Sequence, residues 1–308
     1  MNLWQNYIRP KNLSEAMDAF ATAPRPLMPI AGGTDLLLDL EQGRHSPVQT
    51  LIDVTSIAEM SALEVRGDEL FVGAAVSVNR IATTPEVIAY AQALTEACNL
   101  IAGPQVRNVA TLGGNVAHAL PAADGTIALL ALNAQAEIAG FTGSRRAPFK
   151  ELFVGPGKSS LKHGEELLVG FYIPIYETLR DFAKHPRSET EGAELLRISS
   201  CFKRIMRPQG VALPIINLAI WLERKDDVFS QIRIAVGPGG STPWSGTEAE
   251  QVLLGQPLND ETFDAAVEAL LTQVGFRSSA RRASSDYRRH IVVGLFKDVL
   301  ETAWKRAE

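Results

Sequence analysis

A chain of 308 residues, 46% apolar and 21% charged, can fill more than one hydrophobic core and has the composition of an ordinary globular protein. A net charge of −5 argues against nucleic acid or an anionic membrane as partner, and no apolar run reaches the roughly 20 residues that span a bilayer. Two cysteines, Cys98 and Cys201, cannot supply the four thiolates of an iron–sulfur cluster, and five histidines show no metal-ligand spacing.

In chain order, Met1-Asn2-Leu3-Trp4 carries no basic region before an apolar core, so a cytoplasmic chain is expected. Asn12 with Glu15 three residues on forms a capping-box pattern, opening a helix over 13–22 with Leu13, Ala16, Met17 and Phe20 on one face. A strand at 27–30, a glycine turn, a helix at 35–40 and a strand at 50–54 complete a small α/β lobe (1–57). A hairpin, 64–66 and 70–73, turns at Gly67-Asp68 and opens a second lobe (58–176). That lobe continues with one helical turn at 78–82, an amphipathic helix at 85–101, a helix at 124–133, and strands at 134–139 and 166–173. Residues 177–193 are charged and poor in aliphatic side chains, which predicts a linker or mobile loop. Beyond it, strands at 194–204, 215–223 and 230–236 precede helices at 248–254, 260–273 and 286–305. Strands then helices predict an α+β domain over 194–308, with a three-stranded antiparallel sheet and a helical bundle.

Two stretches share a design. Pro29-Ile30-Ala31-Gly32-Gly33-Thr34-Asp35-Leu36 runs from strand through a glycine pair into a helix start, a geometry that points unpaired N–H groups at a phosphate. Thr111-Leu112-Gly113-Gly114-Asn115 pairs two glycines with a hydroxyl and an amide, and leads through a proline turn to Asp124. Neither has the spacing of a Rossmann or P-loop fingerprint. Two such corners fit one pyrophosphate held from two sides.

AGGTDLLLDL at 31–40 and ATLGGNVAHALPAAD at 110–124 resemble the two FAD-pyrophosphate motifs of the flavoprotein (medium) subunit of molybdenum hydroxylases. This is the xanthine dehydrogenase and carbon monoxide dehydrogenase family. The likeness extends to Tyr7-Ile8-Arg9-Pro10, to 166–174, to 200–204 and to AVGPGG at 235–240. It implies a two-lobed FAD-binding domain of the vanillyl-alcohol-oxidase-like (PCMH) type, with a C-terminal domain of the carbon monoxide dehydrogenase flavoprotein type. It also implies noncovalent FAD, with molybdopterin and [2Fe–2S] clusters on large and small partner subunits in a dimer of heterotrimers. Electrons would pass from the iron–sulfur subunit through FAD to NAD⁺, oxygen or a quinone.

Carried over residue by residue, the resemblance makes 29–36 and 111–115 (with Leu112 and Gly113) the diphosphate region. It sets Asp124 on a ribityl hydroxyl, Ile101 against the cofactor, and Leu168 and Lys203 near the isoalloxazine ring. It implies no covalent tether at His118 and no catalytic residue on this chain. Asp124 is also a good helix N-cap, and Lys203 reads equally as a strand lysine. The run Arg277, Arg281, Arg282, Arg288, Arg289 among serines is expected to be a solvated helix approach or subunit contact. Two other readings remain: a free-standing FAD oxidoreductase, and a nucleotide-binding scaffold with no redox role.

Overall fold

The computed structural model describes residues 3–176, 196–207, 213–280 and 282–308. The expected linker, 177–193, lies outside them.

Three sheets organise the chain. The first is parallel, with β3 (Thr50–Asp53) between β1 (Asn6–Ile8) and β2 (Leu27–Ile30). Helix α1 (Leu13–Thr22) starts where expected: Asn12 Oδ1 accepts from Glu15 N–H at 2.9 Å, and Glu15 Oε2 accepts from Lys11 N–H at 2.8 Å. It buries Ala16, Ala19 and Phe20. Helix α2 (Leu36–Glu41) leaves the carboxyl end of β2 through the first glycine pair. Ligands of open α/β sheets gather at this end of parallel strands.

The second sheet is antiparallel, in the order β4 (Leu63–Arg66), β5 (Glu69–Gly73), β10 (Glu166–Pro174), β6 (Gln135–Gly140), β7 (Gly143–Pro148). Strand β7, GSRRAP, has no apolar alternation and reads from sequence as the end of a turn. Register with β6 and the bidentate bond from Arg146 to Glu69 hold it in the sheet. The hairpin β8 (Phe153–Gly155) and β9 (Lys158–Ser159) follows.

After the short helices α3 (Ala58–Ser61) and α4 (Val78–Thr83), the helical stretch over 85–101 is two helices, α5 (Pro85–Tyr90) and α6 (Gln92–Leu100), a correction to the single helix expected, and the single turn α7 (Pro104–Arg107) follows. Ala91 leaves helical backbone (φ −142°, ψ 51°), and Ala93 N–H donates to Ser200 Oγ at 3.0 Å. Glu96 Oε2 then accepts from Phe202 N–H at 2.7 Å, so α6 seals the edge strand of the third sheet. That break is set by a strand 107 positions away.

The third sheet runs β11 (Leu196–Ile205), β12 (Ile216–Lys225), β13 (Val228–Gly237), β14 (Trp244–Ser245), all antiparallel. The expected three strands gain a two-residue edge strand too short to show alternation. Both faces of β12 are buried. Phe202, Ala219, Trp221 and Ala235 face the core of the N-terminal sheets, whereas Cys201, Leu218, Ile220 and Leu222 face α10 (Thr247–Leu253), α11 (Asp260–Gln273) and α12 (Ser285–Arg306). Among the described residues no helix is long and apolar enough to cross a membrane.

Candidate functional site

One cavity of about 930 Å³ opens between the sheets, and both glycine motifs line it. The first supplies every residue from Pro29 to Leu36. Its N–H groups at Gly32, Gly33, Thr34, Asp35 and Leu36 donate to no acceptor among the described residues, although Leu37 N–H returns to Gly33 O at 3.0 Å. Gly33 takes φ +68°, which costs a side-chain-bearing residue about 1–2 kcal/mol. Gly32 is bare because a Cβ there would sit 2.0 Å from Val109 O. The first turn therefore rests on the backbone leading into the second motif.

The second motif is built differently. Residues Leu112–Ala117 form a short helix, α8, capped by Thr111, whose Oγ1 accepts from Gly114 N–H at 3.1 Å. Leu112 N–H goes to Val76 O at 3.2 Å and Gly113 N–H to Ala74 O at 2.9 Å. Its amides are thus already spent, and the pattern that suggested a second backbone cradle marks a helix start tied to the segment that follows β5. Gly113 and Leu112 do not line the cavity; a Cβ on Gly113 would meet Ala74 at 2.5 Å. Thr111, Gly114 and Asn115 do line it, and Asn115 Oδ1 is buried without a partner. The unpartnered backbone amides therefore belong to the first motif, and the second contributes the unpartnered Oδ1 of Asn115.

Ile101 and Asp124 also line the cavity. Asp124, 4% exposed, begins α9 (Asp124–Ala131) and makes no N-cap bond; its N-cap position belongs to Ala123. Its Oδ1 accepts from Asn217 Nδ2 at 2.7 Å, and its Oδ2 pairs with Arg204 Nη1. Burial pushes its carboxyl above the ordinary value of 3.8, while Arg204 and Asn217 pull it down. Burial likewise raises both thiols: that of Cys98, where Asp124 adds to the effect, and that of Cys201, to about 12.

Two expected contacts are placed elsewhere. Leu168 is buried in the second sheet and does not line the cavity. Lys203 donates to Asp298 at 2.6 Å and to Thr302 at 2.8 Å on α12, also away from the cavity. Successive strand residues face opposite ways, so when Lys203 faces α12 its neighbour Arg204 faces α9 and the cavity. Sequence reasoning missed Arg204, and it missed Lys158, Lys162 and His163, which line the cavity from the β8–β9 hairpin and the loop after it. A polar GPGKSS stretch was their only signal. In the arginine run, Arg282 lines the cavity, while Arg288 is 3% exposed and donates Nε to Ile215 O, so it is not a solvated side chain. Arg281 lies outside the described residues.

Comparison with known proteins places this geometry. The family described as FAD binding domain in molybdopterin dehydrogenase matches residues 3–176, and the CO dehydrogenase flavoprotein C-terminal domain matches residues 200–303. The xanthine dehydrogenase FAD-binding subunit of Escherichia coli O157:H7 is 31% identical over 97% of this chain and 95% of its own. The nicotine 6-hydroxylase medium subunit of Paenarthrobacter nicotinovorans is 30% identical, covering 97% of each chain. Among solved structures, a carbon monoxide dehydrogenase from Hydrogenophaga pseudoflava lacking the Mo-pyranopterin moiety superposes with TM-score 0.86 at 26% identity, over 99% of this chain and 98% of that one.

Proposed function

This chain belongs to the family of FAD-binding (medium) subunits of molybdenum-containing dehydrogenases, and from that membership we propose that its cavity holds FAD noncovalently as an electron relay between partner subunits and an external acceptor. Relatives of this kind include the medium chain of a carbon monoxide dehydrogenase, and a similar solved structure is a carbon monoxide dehydrogenase that lacks the Mo-pyranopterin moiety of its molybdenum cofactor. The observation that carries the reading is the row of five unpartnered N–H groups, Gly32 to Leu36, at the carboxyl end of a parallel strand, on residues that line the same cavity as Asn115 and Asp124.

The residues fit the group. Five successive unpartnered amides at a helix start suit a diphosphate, and Gly32 keeps that surface bare by resting on Val109. Asn115 offers an amide to the ribityl or phosphate oxygens, and Asp124 accepts from a ribityl hydroxyl. Ile101 supplies an apolar wall. Bound FAD would supply reversible two-electron chemistry coupled to one-electron carriers. The chain's own part is to anchor the diphosphate, fix the ribityl chain and shield the site. We propose a small [2Fe–2S] subunit and a large molybdopterin subunit as partners, NAD⁺, oxygen or a quinone as acceptor, and domain limits at 1–176 and 194–308.

Purification of the chain with its associated polypeptides, followed by a visible spectrum and metal analysis, tests this. Flavin absorbance in a complex that also holds molybdenum and iron supports the relay. A yellow chain that turns over an organic substrate unaided favours a free-standing oxidoreductase, and a colourless chain that takes up no FAD refutes the reading.

A further inference from the structure

Asp124 is the family-implied ribityl contact, yet both its carboxylate oxygens are already engaged from the third sheet. Arg204 on β11 pairs with Oδ2, and Asn217, directly opposite Arg204 on β12, donates to Oδ1 and to Ala122 O at 3.0 Å. The side chains of Arg204 and Asp124 are 7% and 4% exposed, and both residues line the cavity. Arg204 Nη2 reaches Met206 Sδ at 3.1 Å, while Arg204 Nε is buried without a partner. Removing one member of such a pair strands the other as an uncompensated buried charge.

We propose that Arg204 is a positioning residue for FAD: its guanidinium, with the Asn217 amide, holds the Asp124 carboxylate in the orientation that receives the ribityl chain. The C-terminal sheet thereby helps form a site whose diphosphate anchor lies in the turn between β2 and α2 of the N-terminal region. This role rests on the FAD reading above. Cofactor retention then depends on β11 staying docked, and Asp124 alone does not make the contact.

The test uses the full chain, freed of flavin, with FAD affinity read by quenching of flavin fluorescence and folding read by thermal melting. The variants are Arg204→Met, Arg204→Lys, Asp124→Asn, and Arg204→Met combined with Asp124→Asn. Loss of the guanidinium alone should weaken FAD binding at least about tenfold. Arg204→Lys, which keeps the charge, should recover most of that loss. The double variant should melt higher than Arg204→Met, because the stranded carboxylate is gone, yet bind FAD no more weakly than the weaker single variant. Affinity unchanged in Arg204→Met, or losses that simply add in the double variant, would overturn the positioning role while leaving FAD binding intact. A wild-type chain that takes up no FAD would overturn both readings.

Discussion

Gly32 and Val109 lie in backbone contact: a Cβ on the glycine would stand 2.0 Å from the valine carbonyl oxygen. This contact joins two turns that are distant in sequence into one wall of one cavity, and it orders the effects expected of glycine substitutions there.

Gly32→Ala should force the turns apart, destabilise the chain by about 1–3 kcal/mol and remove FAD binding. Gly114→Ala behaves differently. Its nearest atom beyond chain neighbours is Thr111 Oγ1 at 3.2 Å, and α8 gains a better helix former. Stability should stay within about 0.5 kcal/mol of wild type while FAD affinity falls. Denaturant melts of the flavin-free variants beside FAD titrations separate the two; equal destabilisation by both would contradict the packing described.

Lys203→Ala should leave FAD affinity and the flavin reduction potential unchanged. The ammonium is held by Asp298 and Thr302 on α12, and an ion pair 34% and 60% exposed contributes about 0.2–1 kcal/mol. A shifted potential in this variant would show that Lys203 reaches the ring after all.

Asp53 closes β3 beside the first glycine turn. Burial raises its pKa, but the two Thr55 bonds, Tyr7 OH at 2.7 Å and nearby Arg9 outweigh it and hold the carboxyl below its ordinary 3.8. An acid held low contributes stability that is present above pH 3.8 and lost as pH falls through the lower folded value. Tyr7, raised chiefly by burial and then by Asp53, contributes stability below pH 10 that is lost as pH climbs through its folded value. Stability measured against pH should therefore be flatter below pH 3.8 in Asp53→Asn and flatter above pH 10 in Tyr7→Phe. Curves parallel to wild type would show that neither group is linked to folding.

Much of this architecture could be read from the residues in order. The capping pair Asn12 and Glu15, the strand–glycine–helix run at 27–41 and the long strands of the third sheet are local signals, and the chain keeps them. What escaped was set by distant partners. The break at Ala91 follows from Ser200, and Gly113 is bare for the sake of Ala74, not for an anion. Whether Lys203 or Arg204 faces the cavity turns on one step of strand register, since Arg204 lies opposite Asn217 and both reach Asp124. The hairpin carrying Lys158 offers only polar turn residues, and no pattern ties it to a cavity wall.

The diphosphate anchor proposed at the amides of Gly32, Gly33, Thr34, Asp35 and Leu36 can be observed directly. Their ¹H–¹⁵N resonances, followed while FAD is added to the flavin-free chain, should show the largest shifts in the protein, and riboflavin, which has no phosphate, should leave them in place. FAD binding that leaves these five amides undisturbed would contradict it.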